Sequence, residues 1–379
     1  MMKKYVLILL LIFITGCTKT ENILQGVEDG KIYVSDPVIS IDDDFHGDYE
    51  LVLNDKKINS GYTVEDNGDY TLFLKTKNLF GVKRTYTYQF THDDIQPSEP
   101  KLTTTPKSVY FKKARFDFKH EEHVDYQTLL NGKTVDLNKP ITEEGTHFLK
   151  IIATKNNGLK SELRHPFIID NQTYSIEQLE TFLDFFFHPN TIETEPILYK
   201  WTDTVTIVVH GRSTEKDLVM LEQHVGTLNK LLPFKFIITH EEKGRTYSRQ
   251  LDLHFIPTWA FTRFVSEESY PGVTQAIGLA FPNEVSSESG ILGSTVLVGS
   301  DISQIERNHA ILHELIHAIG LYNHFEEDRS SILYPFIDSI VSELNETDLK
   351  MIEMLYRKDL HTGMTEEDVV HVLKPRIIN

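Results

Sequence analysis

Two histidines four residues apart carry the clearest chemical signal in the sequence. His313 and His317 enclose Glu314 in the segment His-Glu-Leu-Ile-His. In a helix, side chains at this spacing lie on one face, one turn apart, so both imidazoles can reach a single zinc ion at about 2.0–2.1 Å. Glu314, next to the first ligand, could deprotonate a zinc-bound water and pass the proton to a leaving amine. The spacing therefore predicts a zinc site that hydrolyses peptide bonds.

The neighbouring residues favour a buried helix that ends abruptly. Gly320 lets the helix stop and the chain turn sharply, and His324 follows within reach as a third ligand. The alternative is a half-buried helix with two hydrogen-bonded histidines and a surface glutamate. The positions between and after the histidine pair are apolar: Leu315, Ile316, Ala318, Ile319 and Leu321.

Residues 313–324 resemble the metzincin motif His-Glu-x-x-His-x-x-Gly-x-x-His. The motif's third histidine falls on Asn323, and the histidine of this chain comes one residue later. Because asparagine is a poor zinc ligand, the resemblance implies His324 as the third ligand, on a loop one residue longer. Asn323 itself, or a carboxylate among Glu326, Glu327 and Asp328, is the alternative.

Residues 331–335 resemble the metzincin Met-turn, with Leu333 in place of methionine. This exchange conserves packing volume. Tyr334 either stabilises the oxyanion of the transition state or is a tyrosine of the core or the turn.

A wider resemblance, over roughly residues 173–375, is to a secreted bacterial family of unknown function. It rests on an early helix, a strand led by Trp201, a Leu-x-x-x-Asp-Leu helix at 344–356 and a terminal helix after Gly363. Members of that family often have a degraded zinc motif, so their fold survives without catalysis. This chain retains both histidines and the glutamate.

The elements that must position this site form an α+β or α/β pattern. A helix begins near Ser175, and a second, capped by Ser213 or Thr214, reaches about residue 232. The zinc-binding helix spans about 304–320. Apolar runs predict strands at 205–209, 235–239, 250–256, 276–281 and 295–298. The last of these could be the sheet edge to which an extended peptide adds.

Residues 30–171 have an all-β pattern that repeats at a constant offset of 77 residues. The matched residues are Leu53 and Leu130, Asn54 and Asn131, Gly68 and Gly145, Gly81 and Gly158, Phe90 and Phe167, and Asp93 and Asp170. The copies, 30–95 and 100–171, resemble bacterial immunoglobulin-like modules. They could form a stalk, or serve adhesion or ligand binding. His120 and His123 would share a metal only if their segment were helical, and a solvated turn is the alternative.

The N-terminus predicts export and a lipid anchor. Lys3 and Lys4 precede an apolar run at 5–14, and Cys17, the single cysteine, follows Ile-Thr-Gly. This arrangement resembles the lipobox of bacterial lipoproteins. It implies a signal peptide at 1–16, a lipid on Cys17 and a polar tether at 17–29, holding the protein to the membrane on the extracellular or envelope side.

Composition excludes some partners. A net charge of −18 argues against nucleic acid, and one cysteine cannot form an internal disulfide. The sequence thus predicts two all-β immunoglobulin-like sandwiches followed by an α+β zincin/metzincin-like domain at 173–379. The predicted function is a surface-anchored, zinc-dependent endopeptidase acting on proteins or peptides. The alternatives are a non-catalytic adhesion or envelope-binding lipoprotein with an inactive or structural metal site, and hydrolysis of a non-peptide amide such as a cell-wall cross-link.

Overall fold

The computed structural model describes residues 23–187, 197–240 and 246–378. The described chain forms two compact units. The first holds residues up to 106, 115–141 and 147–166, and the second holds 107–114, 142–146 and 167 onward. The predicted signal peptide (1–16) and Cys17 lie outside the described residues. None of the helices in the described ranges combines the length and the apolar character needed to cross a bilayer.

The first repeat is a two-layered β-sandwich. Among the described residues, a five-stranded sheet of order β2-β8-β7-β4-β5 and a three-stranded sheet of order β1-β3-β6 share one apolar core. Ile39, Leu51 and Leu72 alternate with outward residues and are fully buried, as the two-residue period of a strand requires. The strands are β1 (Leu24–Gln25), β2 (Ile32–Tyr33), β3 (Val38–Ile41), β4 (Asp48–Leu53), β5 (Lys56–Ile58), β6 (Tyr62–Thr63), β7 (Gly68–Lys77) and β8 (Lys83–His92).

The sandwich begins earlier than the sequence pattern indicated. Leu24 and Val27 are buried in its core, and β1 pairs antiparallel with β3. The tether predicted at 17–29 is therefore wrong in its second half. The reason is that a two-residue strand is too short to show a period, and only its pairing with β3 identifies it.

The five-stranded sheet of the second repeat follows that of the first strand by strand. Its strands are β9 (Val109–Phe111), β10 (Val124–Leu130), β11 (Lys133–Thr134), β12 (Gly145–Lys155) and β13 (Lys160–Asp170), in the sheet order β11-β10-β12-β13-β9. β7 and β12 begin 77 residues apart, and so do β8 and β13. β2 and β9 both pair in parallel with the last strand of their repeat. The predicted duplication is confirmed at the level of strand register.

The C-terminal region has a mixed sheet and helices. Its elements are α1 (Ile176–Phe187), β14 (Val205–Gly211), α2 (Glu215–Leu231), β15 (Phe236–His240), β16 (Gln250–Ile256), β17 (Gly278–Ser286), β18 (Gly290–Gly299), α3 (Gln304–Ala318), α4 (Glu346–Leu355) and α5 (Glu366–Leu373). The sheet order is β15-β14-β16-β18-β17, and β17 alone among these described strands runs antiparallel to its neighbour.

The strand predicted to form the sheet edge is an inner strand. β18, which contains residues 295–298, pairs with β16 on one side and β17 on the other. The edge next to it is β17. Local apolar patterning identified both strands, but their order depends on pairing over long sequence separations, which the pattern does not contain.

Helix α3 is fixed at both ends. Ser303 caps its N-terminus in a capping box with Glu306, and the helix packs on β17, β18 and α2. At its C-terminal end Gly320 has φ 113°, and a Cβ there would lie 2.8 Å from the Tyr199 carbonyl oxygen. Only glycine therefore fits where the chain leaves α3, as the sequence predicted.

Candidate metal centre

The three predicted histidines come together at the end of α3. The Nε2 atom of His317 lies 2.9 Å from that of His313 and 3.1 Å from that of His324, and the third side of the triangle is 3.3 Å. Ligands about 2.0–2.1 Å from a tetrahedral zinc ion are about 3.3 Å from one another. Within the described residues, this is the one group of histidine, cysteine or carboxylate side chains whose ligand atoms converge in this way.

The other ring nitrogens show which way the lone pairs point. His313 Nδ1 lies 2.6 Å from the Ile332 carbonyl, and His317 Nδ1 lies 2.5 Å from the Leu321 carbonyl. A carbonyl can only accept, so each Nδ1 carries the proton and donates it. The Nε2 atoms of these neutral rings are then bare, and their lone pairs face each other at 2.9 Å. A cation between them removes this repulsion, so the donor set fits a divalent metal such as zinc.

Burial keeps the triad neutral. Desolvation, reinforced by the neighbouring imidazoles, lowers the pKa of His313 to about 3, and desolvation lowers the pKa of His324 to about 4. The pKa of His317 is also well below its usual value for the same reasons. Neutral imidazole is the form that binds metal, so the chain holds these rings ready for it.

The structure brings His324, rather than Asn323, to the two helical histidines. The Asn323 side-chain oxygen accepts a hydrogen bond from the His324 backbone N–H at 3.0 Å and so orients the loop. Glu326 and Glu327 are exposed, and Asp328 binds Ser330 and Asn345. Of the candidates weighed from the sequence, His324 is the one whose ligand atom joins the triangle.

The turn at 331–335 lies beneath the triad and is held by a buried carboxylate. Asp348 accepts hydrogen bonds from the Ser331 hydroxyl and, at 3.0 Å, from the Ile332 N–H. The Ile332 carbonyl in turn orients His313, and Leu333 is fully buried. Asp348 belongs to the Leu-x-x-x-Asp-Leu segment, but sequence reasoning gave it no role, because its contact with the turn closes only in three dimensions.

Glu314 is buried beside the triad. Its Oε1 lies 4.0 Å from His313 Nε2, and burial raises its pKa well above the usual value. A Cβ added to Gly278 on β17 would lie 2.6 Å from the same oxygen. The absence of a side chain at Gly278 therefore makes room for the carboxylate, a requirement that no local sequence pattern reveals.

The remaining candidates lie outside the triad. His309 Nδ1 donates to the Val341 carbonyl at 2.6 Å. His120 stacks on Phe118 in a segment that is not helical, and His123 has φ 60°, as in the turn considered from the sequence. Tyr334 packs against Arg329, and desolvation and the Asp338 carboxylate raise the pKa of its hydroxyl.

Residues 177–375, just over half of the chain, match the model of a family described as "Protein of unknown function (DUF2927)". This is the region in which the sequence resembles a family of unknown function. Among curated proteins, no sequence matches the chain.

Solved structures resemble parts of the chain. Fibronectin(III)-like modules of Clostridium thermocellum CbhA match at 18% identity over 39% of this chain and 92% of that chain, with a TM-score of 0.26. Tandem Ig repeats of Dlar match at 12% identity over 38% and 94%, with a TM-score of 0.17. Myroilysin matches at 12% identity over 42% and 86%, with a TM-score of 0.24. Similarity this low leaves the chemistry to be argued from the chain's own residues.

Proposed function

The chain belongs to the family described as "Protein of unknown function (DUF2927)", and we propose that its residues 173–379 work as a zinc-dependent peptidase domain of the metzincin type. The observation that carries the proposal is the triangle of Nε2 atoms from His313, His317 and His324, with sides of 2.9–3.3 Å. The buried Glu314 carboxylate, 4.0 Å from one corner of the triangle, adds an acid–base group.

The three histidines would hold the metal, and Glu314 would move the proton. Zinc at this position would polarise the scissile carbonyl and lower the pKa of water. Among the described residues, no lysine or arginine lies within ion-pair distance of Glu314, and burial raises its pKa, which makes the carboxylate a stronger base. Glu314 takes the proton of the attacking water and delivers it to the leaving amine.

The edge strand β17 supports a peptide as substrate. Among the described strands β17 pairs with β18 alone, so its outer edge could pair with an extended chain, since backbone hydrogen bonds along an edge do not depend on the added sequence. Gly278 lies on β17 and directly against Glu314, so a peptide added along this part of the edge passes the carboxylate. This geometry favours hydrolysis within a peptide chain.

The segment that follows the turn supports an apolar side chain in the substrate. Phe336, Ile337 and Ile340 are exposed. The segment begins at Ile332, whose carbonyl accepts a hydrogen bond from His313, and ends at Val341, whose carbonyl accepts one from His309. It thus lies alongside α3, next to the triad. Exposed apolar side chains beside a catalytic group are suited to contact a substrate.

We further propose that Cys17 carries the lipid that anchors the chain to the cell surface. The support is the lipobox-like segment and the position of the single cysteine. Intact-mass measurement on protein extracted from membranes should show a chain that starts at Cys17 with added diacylglycerol. A Cys17→Ala variant should leave the membrane fraction or retain the signal peptide, and an unmodified Cys17 would exclude the anchor.

Replacement of Glu314 by alanine tests the catalytic proposal. We expect Glu314→Ala to abolish cleavage of a peptide library, followed by mass spectrometry, while stoichiometric zinc remains bound. Glu326→Ala is the matched control, because Glu326 is an exposed carboxylate of the neighbouring loop. Full activity of Glu314→Ala would refute the mechanism. A wild-type chain that binds no zinc would favour the non-catalytic adhesion or envelope-binding function.

A further inference from the structure

The hairpin tip between β7 and β8 presents apolar side chains to solvent. Phe80 is 91% exposed, Leu79 80% and Val82 50%. Asn78 shapes the turn by accepting hydrogen bonds from the N–H groups of Phe80 and Val82. The tip is therefore an ordered loop that displays three neighbouring apolar residues, which a soluble protein surface rarely does without a contact.

This tip lies at the same end of the sandwich as Ile23, where the chain enters the domain. The Ile23 carbonyl accepts a hydrogen bond from the Asp42 N–H at 2.9 Å, which places Ile23 next to the loop 42–47. That loop leads to Asp48, which pairs with Lys77, the last residue of β7 before the tip. The chain leaves at the opposite end, because His92 pairs with Gly68 at the far end of the same strand.

The second repeat shows what the equivalent tip contacts. Asn157 corresponds to Phe80, and its side-chain amide donates to the carbonyls of Asp93 and Ile95 at 2.9 and 3.0 Å. Lys155 forms an ion pair with Asp93 at 2.8 Å. In this module the tip thus binds the segment that leads into the module. The tip of the first repeat faces the corresponding direction, but its residues are apolar.

We propose that Leu79, Phe80 and Val82 insert into the lipid surface to which Cys17 is anchored. This rests on the proposed lipid at Cys17 and is independent of peptidase activity. Only five residues separate Cys17 from Ile23, and the six peptide steps from one to the other span at most about 20 Å, so the end that carries the tip is held close to the bilayer.

The charged residues near the tip indicate that the contact with lipid is apolar rather than electrostatic. Lys77 and Lys83 flank it, whereas Asp42, Asp43 and Asp44 lie in the loop at the same end of the sandwich. These opposite charges offset one another, so attraction to anionic lipid does not account for the exposed tip. Burial of the apolar side chains in the interface does, and it should occur in zwitterionic membranes as well.

Depth-dependent fluorescence quenching tests the contact in the full lipidated protein. Phe80→Trp in phosphatidylcholine vesicles should show blue-shifted emission and lose intensity when lipids brominated near the headgroup are included. Lys56→Trp is the matched control, since Lys56 is exposed on β5 at the opposite end. Its added emission should be unaffected by brominated lipid. The wild-type chain, with Trp201 and Trp259, gives the background.

A second variant is needed because tryptophan itself favours the membrane interface and could strengthen the contact that it reports. The double change Leu79→Asn and Phe80→Asn installs the polar pair found at Asn156 and Asn157 of the second repeat. It should speed the transfer of lipidated protein from one vesicle population to another. Equal transfer rates, an unquenched Trp at 80, or a Trp at 80 shielded already in lipid-free protein would each overturn the proposal. An unlipidated Cys17 in the mass measurement would also overturn it, whatever the peptidase assay shows.

Discussion

Replacement of Asp348 should weaken both the fold and the metal site. Asp348 is fully buried and accepts hydrogen bonds from the Ser331 hydroxyl and from the N–H groups of Ile332 and Asn345 at 3.0 and 2.9 Å. Asp348→Ala leaves two N–H groups without their acceptor, at a cost of about 1–3 kcal/mol for each that stays buried. We therefore expect the free energy of unfolding to fall by about 2–6 kcal/mol.

The same change, Asp348→Ala, should lower the affinity for zinc. The Ile332 carbonyl orients His313 through its Nδ1–H, so movement of the turn misaligns a ligand. Loss of a partner that orients a metal ligand typically costs about 10–100-fold in affinity. Asp348→Asn is the control, because its amide oxygen can accept both N–H bonds while the amide nitrogen donates to Ser331. We expect it to bind zinc within a few-fold of wild type.

Two measurements decide the matter. Urea unfolding of the metal-free variants gives the stability change, and competition with a chromogenic chelator gives the zinc affinity. A folded Asp348→Ala protein that binds zinc as tightly as wild type would refute the link between α4, the turn and His313. Equal losses in the alanine and asparagine variants would show that charge, rather than hydrogen bonding, holds the turn.

The other predictions concern the third ligand, the room for Glu314 and acid stability. His324→Ala should lower zinc affinity by at least about tenfold and Asn323→Ala only slightly in the same chelator assay, and the reverse order would exclude His324 as ligand. Gly278→Ala places a Cβ 2.6 Å from Glu314 Oε1, so peptidase activity should fall while zinc is retained. Gly293→Ala on β18, where the nearest neighbour is 3.6 Å away, should leave activity near wild type, and equal losses would contradict the steric argument. In metal-free protein, burial lowers the pKa of His324 to about 4 from its usual 6.5. Between these two pH values the unfolded chain binds a proton at this histidine and the native state does not. Stability should then fall as pH drops from about 6.5 to about 4, by up to about 1.4 kcal/mol per pH unit for each such histidine, and a flat urea midpoint over this range would contradict it.

Features with local signals could be predicted from the sequence. The duplication was visible because six positions, among them two glycines, an asparagine and a phenylalanine, kept one offset, and the strands keep it too. Capping chemistry placed the start of α2 at Ser213 or Thr214, of which Thr214 is the cap, and the stop after α3 at Gly320. The pair His313 and His317 followed from helical spacing, a third ligand followed from the metzincin resemblance, and the choice of His324 over Asn323 followed from ligand chemistry.

Features that depend on distant pairing could not be predicted. Whether β17 or β18 forms the edge is decided by which strand β16 pairs with. Gly278 and Asp348 serve the site through contacts with α3 and with the turn, 36 and 16 or 17 residues away in sequence. Leu24 joins the sandwich through β3, and no periodicity can reveal a strand of two residues.

The edge of β17 has a consequence for how the protein behaves in concentrated surroundings. An unpaired strand edge invites a second copy to pair with it and start aggregation. Pro282 lacks a backbone donor, and the register of β17 against β18 shifts at Glu284. The regular part of the edge is thereby limited to a few residues beside Gly278. Pro282 and the register shift leave only a short edge for a substrate to pair with, and they should also prevent two copies of the protein from pairing along β17.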